Sequence, residues 1–81
     1  MAVMLTTRQA ETLERIDAHI RKHGVSPLMR EVARDMGVTK QAVSKLVGQL
    51  VARKYLHRVA GRVQGLLVLR KPQREAADEP G

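Results

Sequence analysis

Residues 36–54 read MGVTKQAVSKLVGQLVARK, and this segment contains the pattern that defines the domain. Gly37 suits the left-handed residue that ends one helix, and Thr39 suits the cap that begins the next, so a very short turn separates the two. Apolar residues then recur at helical spacing, which predicts a helix over residues 40–54 with one buried stripe. The predicted stripe consists of Val43, Leu46, Val47, Leu50 and Val51.

A longer helix is predicted upstream of this segment. Thr6 and Gln9 have the spacing of a capping box, and Gly24 suits the residue that ends the helix. The residues that recur on its apolar side are Ala10, Leu13, Ile16 and Ile20. We expect the intervening polar residues, Asp17 among them, to face solvent.

A second, shorter helix is predicted between these two. Ser26 and Pro27 indicate its start, with Ser26 as the cap and Pro27 in the first helical position. Gly37 marks its end. The second and third predicted helices, joined by the short turn, therefore have the layout of a helix-turn-helix unit.

Two β-prone runs, residues 56–60 and 66–69, follow the third helix. The connection between them has a glycine at either end, which is typical of a hairpin, and the whole hairpin, residues 56–69, forms a wing. We expect residues 71–81, rich in Pro, Glu, Ala, Asp and Gly, to be a disordered tail. The predicted fold is mainly α with a small β-hairpin, a three-helix winged helix-turn-helix domain over residues 1–70.

Charge is distributed unevenly along the 81 residues, which carry a formal net charge of +7. No acidic residue lies between Asp35 and Glu75, although this region includes the third helix and the hairpin. Its cations are Lys40, Lys45, Arg53, Lys54, Arg58, Arg62, Arg70, Lys71 and Arg74. A folded segment with charges of one sign favours a polyanionic partner, because the charges otherwise repel one another.

Composition excludes several other classes of function. The absence of Cys rules out disulfides and thiolate metal sites and suits the cytoplasm. The apolar runs are too short for a membrane span. The only aromatic residue is Tyr55, which we expect beneath the wing, and this scarcity argues against single-strand binding by base stacking. No arrangement of catalytic, cofactor-binding or metal-binding residues is evident, so we expect no enzyme.

The outer side of the predicted third helix suits double-stranded DNA. The second helix of a helix-turn-helix unit enters the major groove with its first residues near the bases. Gln41 can pair with adenine, Lys45 with guanine, and Ala42 can touch a thymine methyl. From the wing, arginines can reach the backbone or a narrow minor groove. The residues that we expect to contact DNA are Thr39, Lys40, Gln41, Ala42, Ser44, Lys45, Gln49, Arg58 and Arg62.

Gly48 is unusual in this helix. Glycine inside a helix costs about 1 kcal/mol relative to alanine, so helix propensity gives no reason for it. We interpret it as a position of close approach, either by DNA or by another helix.

Five short motifs resemble the DNA-binding domain of the LexA repressor family. They are LTTRQ at residues 5–9, GVSP at 24–27, REVA at 30–33, MG at 36–37 and LVARK at 50–54. The resemblance covers about residues 5–69 and implies a three-helix winged helix-turn-helix that binds operator DNA as a dimer. It implies that the base-reading helix contains Thr39, Gln41, Ala42, Ser44 and Lys45.

The chain also departs from that family. The turn before the third helix is one residue shorter, so residues 38–50 equally resemble a MarR-type recognition helix. Ser44 and Lys45 replace the family's acidic pair, so its operator sequence is not expected here. The self-cleaving protease domain, which carries the main dimer contacts, has no counterpart in the 81 residues, so stimulus-induced cleavage is not predicted.

Two hypotheses of function follow. The first is a sequence-specific double-stranded DNA-binding protein, a small bacterial or phage transcriptional repressor without a cofactor. One helix reads too few base pairs for selectivity, which favours a weak or DNA-induced homodimer. The alternative is a winged-helix protein–protein interaction module that binds an acidic partner, because fold alone does not determine function.

Overall fold

The computed structural model describes residues 5–61 and 65–70, which form three helices followed by a two-stranded antiparallel hairpin. The elements are α1 (Thr7–His23), α2 (Met29–Met36), α3 (Lys40–Ala52), β1 (Leu56–Arg58) and β2 (Leu66–Val68). The predicted three-helix winged helix-turn-helix is confirmed. Within the described residues, no helix combines the length and apolar character needed to cross a membrane.

The predicted start of α1 and the predicted C-terminal ends of α1 and α2 are confirmed. The Thr6 hydroxyl accepts the Gln9 backbone N–H at 3.1 Å, and the Gln9 side-chain oxygen accepts the Thr6 N–H at 3.0 Å, which completes the capping box. Gly24 and Gly37 end the two helices with φ angles of 82° and 71°. Gly37, at the start of the short turn, therefore has a left-handed backbone conformation that residues with a side chain rarely adopt.

The predicted start of α2 is wrong. The helix begins at Met29 with Leu28 in the cap position, so Ser26 and Pro27 both precede it. Ser26 is only 2% exposed, and its hydroxyl oxygen accepts the backbone N–H of Leu66 at 3.3 Å. The side chain that the local pattern identified as a cap instead joins the loop before α2 to the wing.

Helix α3 ends at Ala52, two residues earlier than predicted. Its end is a Schellman motif, in which the Tyr55 N–H donates to the Leu50 carbonyl at 2.9 Å and the Lys54 N–H to the Val51 carbonyl at 3.0 Å. Lys54 takes the left-handed position with a φ of 68°. This reversal directs the chain into β1.

The hairpin is shorter than predicted, since each strand spans three residues instead of five and four. Leu56 pairs with Val68 across the ladder. The residues after β2 bond to the segment that joins α3 to β1. The carbonyl of Tyr55 in that segment accepts the Leu69 N–H at 2.8 Å and the Arg70 N–H at 3.4 Å. The tip, residues 62–64, and the predicted tail lie outside the described residues.

The hydrophobic core has α3 at its centre, in contact with α1, α2 and β1. The core side chains are Leu13, Ile16, Val32, Ala33, Met36, Val43, Val47, Leu50, Tyr55, Leu56 and Leu66. Of the predicted α3 stripe, three members are fully buried, and Leu46 and Val51 pack against the core at partial burial. The inner face of α3 thus packs against α1, α2 and β1, and its outer face remains exposed.

One charged residue of α1 is buried against expectation. Asp17 is 7% exposed, and its carboxylate accepts a hydrogen bond from Arg21 Nε at 3.1 Å. The arginine lies one turn later on the same helix and compensates the carboxylate's charge. Asp17, which the helical pattern predicts to face solvent, is therefore buried as an ion pair with Arg21.

Candidate nucleic-acid interface

The N-terminus of α3 is held by the cap that the sequence predicted. The Thr39 hydroxyl oxygen accepts the backbone N–H of Ala42 at 3.1 Å, and the hydroxyl hydrogen remains able to donate. The first backbone N–H groups of a helix have no carbonyl partner within it. Together with the exposed ammonium of Lys40, these donors make the start of α3 suited to a phosphate.

The outward face of α3 is a line formed by Gln41, Lys45, Gly48 and Ala52, all of them exposed. At 100° per residue these four positions fall within about 60° of the helix surface. We call them the outer line. Ser44 is also exposed and lies beside the line, toward Lys40.

The polar side chains on this surface are uncommitted within residues 5–61 and 65–70. The structure shows no intramolecular hydrogen bond or ion pair for the side chains of Gln41, Ser44 or Lys45 in that part of the chain. Base edges can be contacted by side chains that are exposed and not already bonded. The structure therefore brings these three predicted residues together and leaves all of them available.

Ala42 and Gln49 lie on the side of α3 that faces the start of α1. They line an open groove whose walls are Arg8, Val38, Ala42, Lys45, Leu46 and Gln49. The side-chain oxygen of Gln49 accepts a hydrogen bond from Gln9 Nε2 at 2.8 Å. The amide nitrogen of Gln49 can still donate, but its carbonyl holds α3 to α1.

Sequence reasoning missed two residues at this groove. Gln9 was assigned only to the capping box, yet the same side chain also reaches Gln49 on α3. Arg8 of α1 lines the same groove as Lys45, although its guanidinium is also paired with Glu11 at 3.5 Å. No local pattern indicates either role, because each depends on the packing of α1 against α3.

The wing contributes cations next to α3. Arg58 is exposed at the end of β1, a strand that packs on α3. The guanidinium carbon of Arg70 lies 4.7 Å from the centre of the buried Tyr55 ring, a cation–π contact that fixes its direction. Tyr55 thus packs beneath the wing as predicted, whereas the predicted contact residue Arg62 lies outside the described residues.

Two acidic side chains of α1, Glu11 and Asp17, are paired with arginines of the same helix. Glu11 lies 3.5 Å from Arg8 and 3.4 Å from Arg15, and Asp17 contacts Arg21. Lys40, Lys45 and Arg58 have no such ion pair within the described residues. Because no acidic residue lies between Asp35 and Glu75, α3 and the wing carry formal charges of positive sign only.

The two histidines near the end of α1, His19 and His23, contact each other, and His19 also contacts the loop that follows the helix. His19 Nδ1 lies 2.9 Å from the carbonyl oxygen of Val25, and its ring centre lies 4.4 Å from that of His23. In the part of the chain that the structure describes, no three His, Cys, Asp or Glu side chains come together as a metal site would require.

Comparison with known proteins agrees with this geometry. Residues 2–65 match the family described as the LexA DNA binding domain. The LexA repressor of Acidiphilium cryptum is 40% identical over 78 residues, covering 95% of this chain and 34% of its own length. The LexA repressor of Oleidesulfovibrio alaskensis is 33% identical over 72 residues, covering 89% and 35%. LexA repressor 2 of Geobacter sulfurreducens is 41% identical over 63 residues, covering 76% and 31%. The chain spans about a third of the length of these relatives.

Proposed function

Since this chain belongs to the LexA DNA-binding domain family, we propose that it binds double-stranded DNA sequence-specifically and acts as a transcriptional repressor in the bacterial cytoplasm. Helix α3 enters the major groove, and the hairpin lies on the flanking backbone. The observation that supports this most directly is the outer line of α3, whose polar residues are exposed and make no intramolecular bond in the described part of the chain. The DNA-binding unit is proposed to extend over residues 1–70.

The outer side of α3 supplies the proposed base contacts. Gln41 reads adenine through two hydrogen bonds, Lys45 reads guanine, and Ser44 bonds to either type of base. Ala42, half-buried at the groove toward α1, is placed to contact a thymine methyl. These four residues therefore determine which sequence is preferred.

A second group of residues holds the backbone. Thr39 and Lys40, at the start of α3, contact one phosphate, while Arg58 and Arg62 reach the backbone or minor groove from the wing. The side-chain amide nitrogen of Gln49 donates a hydrogen bond to the backbone of the DNA strand that Lys45 contacts. Its side-chain oxygen remains bonded to Gln9. This group contributes affinity and register, with little dependence on sequence.

Two copies are proposed to act on one operator. A single recognition helix contacts only a few base pairs, which is too little information for a genome. A weak or DNA-induced homodimer on a palindrome resolves this, with half-sites separated by about one helical turn or a multiple of it. A selection from randomised duplexes, followed by sequencing, measures both the preferred half-site and the spacing.

The dependence of affinity on salt provides the primary test. If about five to seven cations neutralise phosphates, the logarithm of affinity falls against the logarithm of salt with a slope near −5 per monomer. Affinity for duplex DNA then falls about 10³-fold between 50 and 200 mM salt. A slope close to zero would contradict the proposal.

The interaction-module hypothesis predicts a different result. An acidic protein partner would co-purify in a stoichiometric amount, and no duplex would shift at moderate salt. The exposed polar side chains of Gln41, Ser44 and Lys45 on α3 favour DNA, because a protein-binding surface more often exposes an apolar centre.

A further inference from the structure

Gly48 has no role in the backbone geometry of α3. It lies in the interior of the helix, and its φ is not positive, unlike those of Gly24, Gly37 and Gly61. Any residue can adopt this conformation, and alanine favours it over glycine. The backbone therefore does not explain why position 48 has no side chain.

Packing inside the domain does not explain it either. A Cβ atom added to Gly48 would meet no heavy atom within 4 Å in the described residues, apart from the neighbouring turns of its own helix. Among those residues, no other helix approaches closely enough to require a glycine. Within the described residues the space above Gly48 is open, so nothing in that part of the chain requires a glycine there.

The position of Gly48 on α3 indicates what approaches it. It belongs to the outer line, three residues after Lys45 and seven after Gln41. Three residues correspond to about 4.5 Å along the helix axis. A surface held against Lys45 and Gln41 therefore also passes over Gly48.

We propose that Gly48 is the point of closest approach between α3 and DNA, where the bare helix backbone rests on the sugar–phosphate wall of the major groove. The missing side chain sets the depth at which α3 lies, and that depth lets Gln41 and Lys45 reach the bases. A hydrogen bond from an N–H group to a base requires a donor–acceptor distance of about 2.7–3.2 Å, so a helix lifted by one side chain loses contacts one and two turns away. Gly48 is thus a positioning residue, and this inference rests on the proposed function.

The test uses Gly48→Ala and Gly48→Gln in the full chain, with the duplex recovered by the selection as the probe. Gly48→Ala should raise the thermal unfolding midpoint by several degrees, since alanine is the better helix former and has room. Its affinity for the preferred duplex should fall about tenfold, and that of Gly48→Gln further. The matched control is Ala18→Gln, an exposed position on α1, which should bind as the wild type does.

Three results would overturn the inference. Gly48→Ala with a raised midpoint and unchanged affinity would show that DNA does not contact this position. A lowered midpoint would show that folding requires the glycine. Loss of self-association without DNA, measured by sedimentation, would assign Gly48 to a helix–helix contact instead. Failure of the proposed function is distinguishable, because the wild type itself would then show no preferred duplex.

Discussion

Helices α1 and α3 are alike on their inner faces and opposite on their outer ones. Leu13 and Ile16 of α1 are fully buried in the core, as are Val47 and Leu50 of α3. Among the charged residues of α1, Glu11 and Asp17 are paired with arginines of the same helix. The outer surface of α3 instead exposes cations such as Lys45, with no acidic partner in the described residues.

This difference separates the requirements of folding from those of binding. An ion pair between exposed side chains contributes little to stability, but it removes the field that would attract a polyanion. Unpaired cations repel one another, and a polyanion relieves that repulsion on binding. The comparison therefore supports α3, and not α1, as the helix proposed to contact DNA.

The inner faces should be energetically equivalent, and this is the largest expected effect. Leu13→Ala and Leu50→Ala each remove a fully buried side chain, so each should lower the free energy of unfolding by about 2–5 kcal/mol. Urea denaturation followed by circular dichroism measures both. A loss below about 1 kcal/mol for one variant alone would mean that the two faces are not equivalent.

The outer faces should differ when one cation is removed from each. Lys45→Ala should cost about 1–3 kcal/mol of affinity for the preferred duplex and much less for random DNA. Arg15→Ala removes only a partner of Glu11 and should leave affinity for the duplex almost unchanged.

Fluorescence anisotropy on both duplexes separates these cases. Equal losses of affinity for preferred and random DNA in Lys45→Ala would show that Lys45 contacts the DNA backbone and not a base. Equal losses for Lys45→Ala and Arg15→Ala would remove the distinction between the helices.

The connection between the two helices gives a smaller effect. Gln9→Ala removes both half of the capping box and the bond to Gln49, so it should destabilise the domain by about 1–2 kcal/mol. Gln49→Ala removes the bond alone and should cost about half as much. If Gln49→Ala is the more harmful variant in thermal unfolding, its side chain has a structural role beyond Gln9.

The helix ends provide a small and favourable change. Helix α1 ends with Gly24 in the left-handed position, whereas α3 places Lys54 in the equivalent one. Lys54→Gly should therefore stabilise the domain by about 1 kcal/mol, because glycine adopts that conformation without strain. Lys54→Ala retains the strain and serves as the control. An equal gain in thermal stability from both variants would contradict this explanation.

The elements were predictable from the sequence because their signals are local. The glycines that end α1 and α2, and the Thr39 cap of α3, each depend on neighbours within a few residues. The same locality explains the error at Ser26, whose hydroxyl oxygen has its partner 40 positions away at Leu66. A local rule cannot weigh a cap against a bond that forms only when the wing packs.

The candidate site was predictable on its exposed side only. Gln41, Ser44 and Lys45 could be placed by helical period, because the period defines which side faces away from the apolar stripe. The bond between Gln9 and Gln49 and the position of Arg8 depend on how α1 crosses α3, and no periodic pattern contains that information. The reach of Arg62 remains a prediction from the sequence.

The uncommitted outer surface of α3 also bears on how such a domain can diverge. Because Gln41, Ser44 and Lys45 make no intramolecular bonds in the described part of the chain, substitutions there cost the folded state little. Duplicated copies can therefore acquire new target sequences one residue at a time while the scaffold beneath stays intact. Substitution of the buried Gln9 or Leu50 would instead cost stability, because each holds α3 against the rest of the domain.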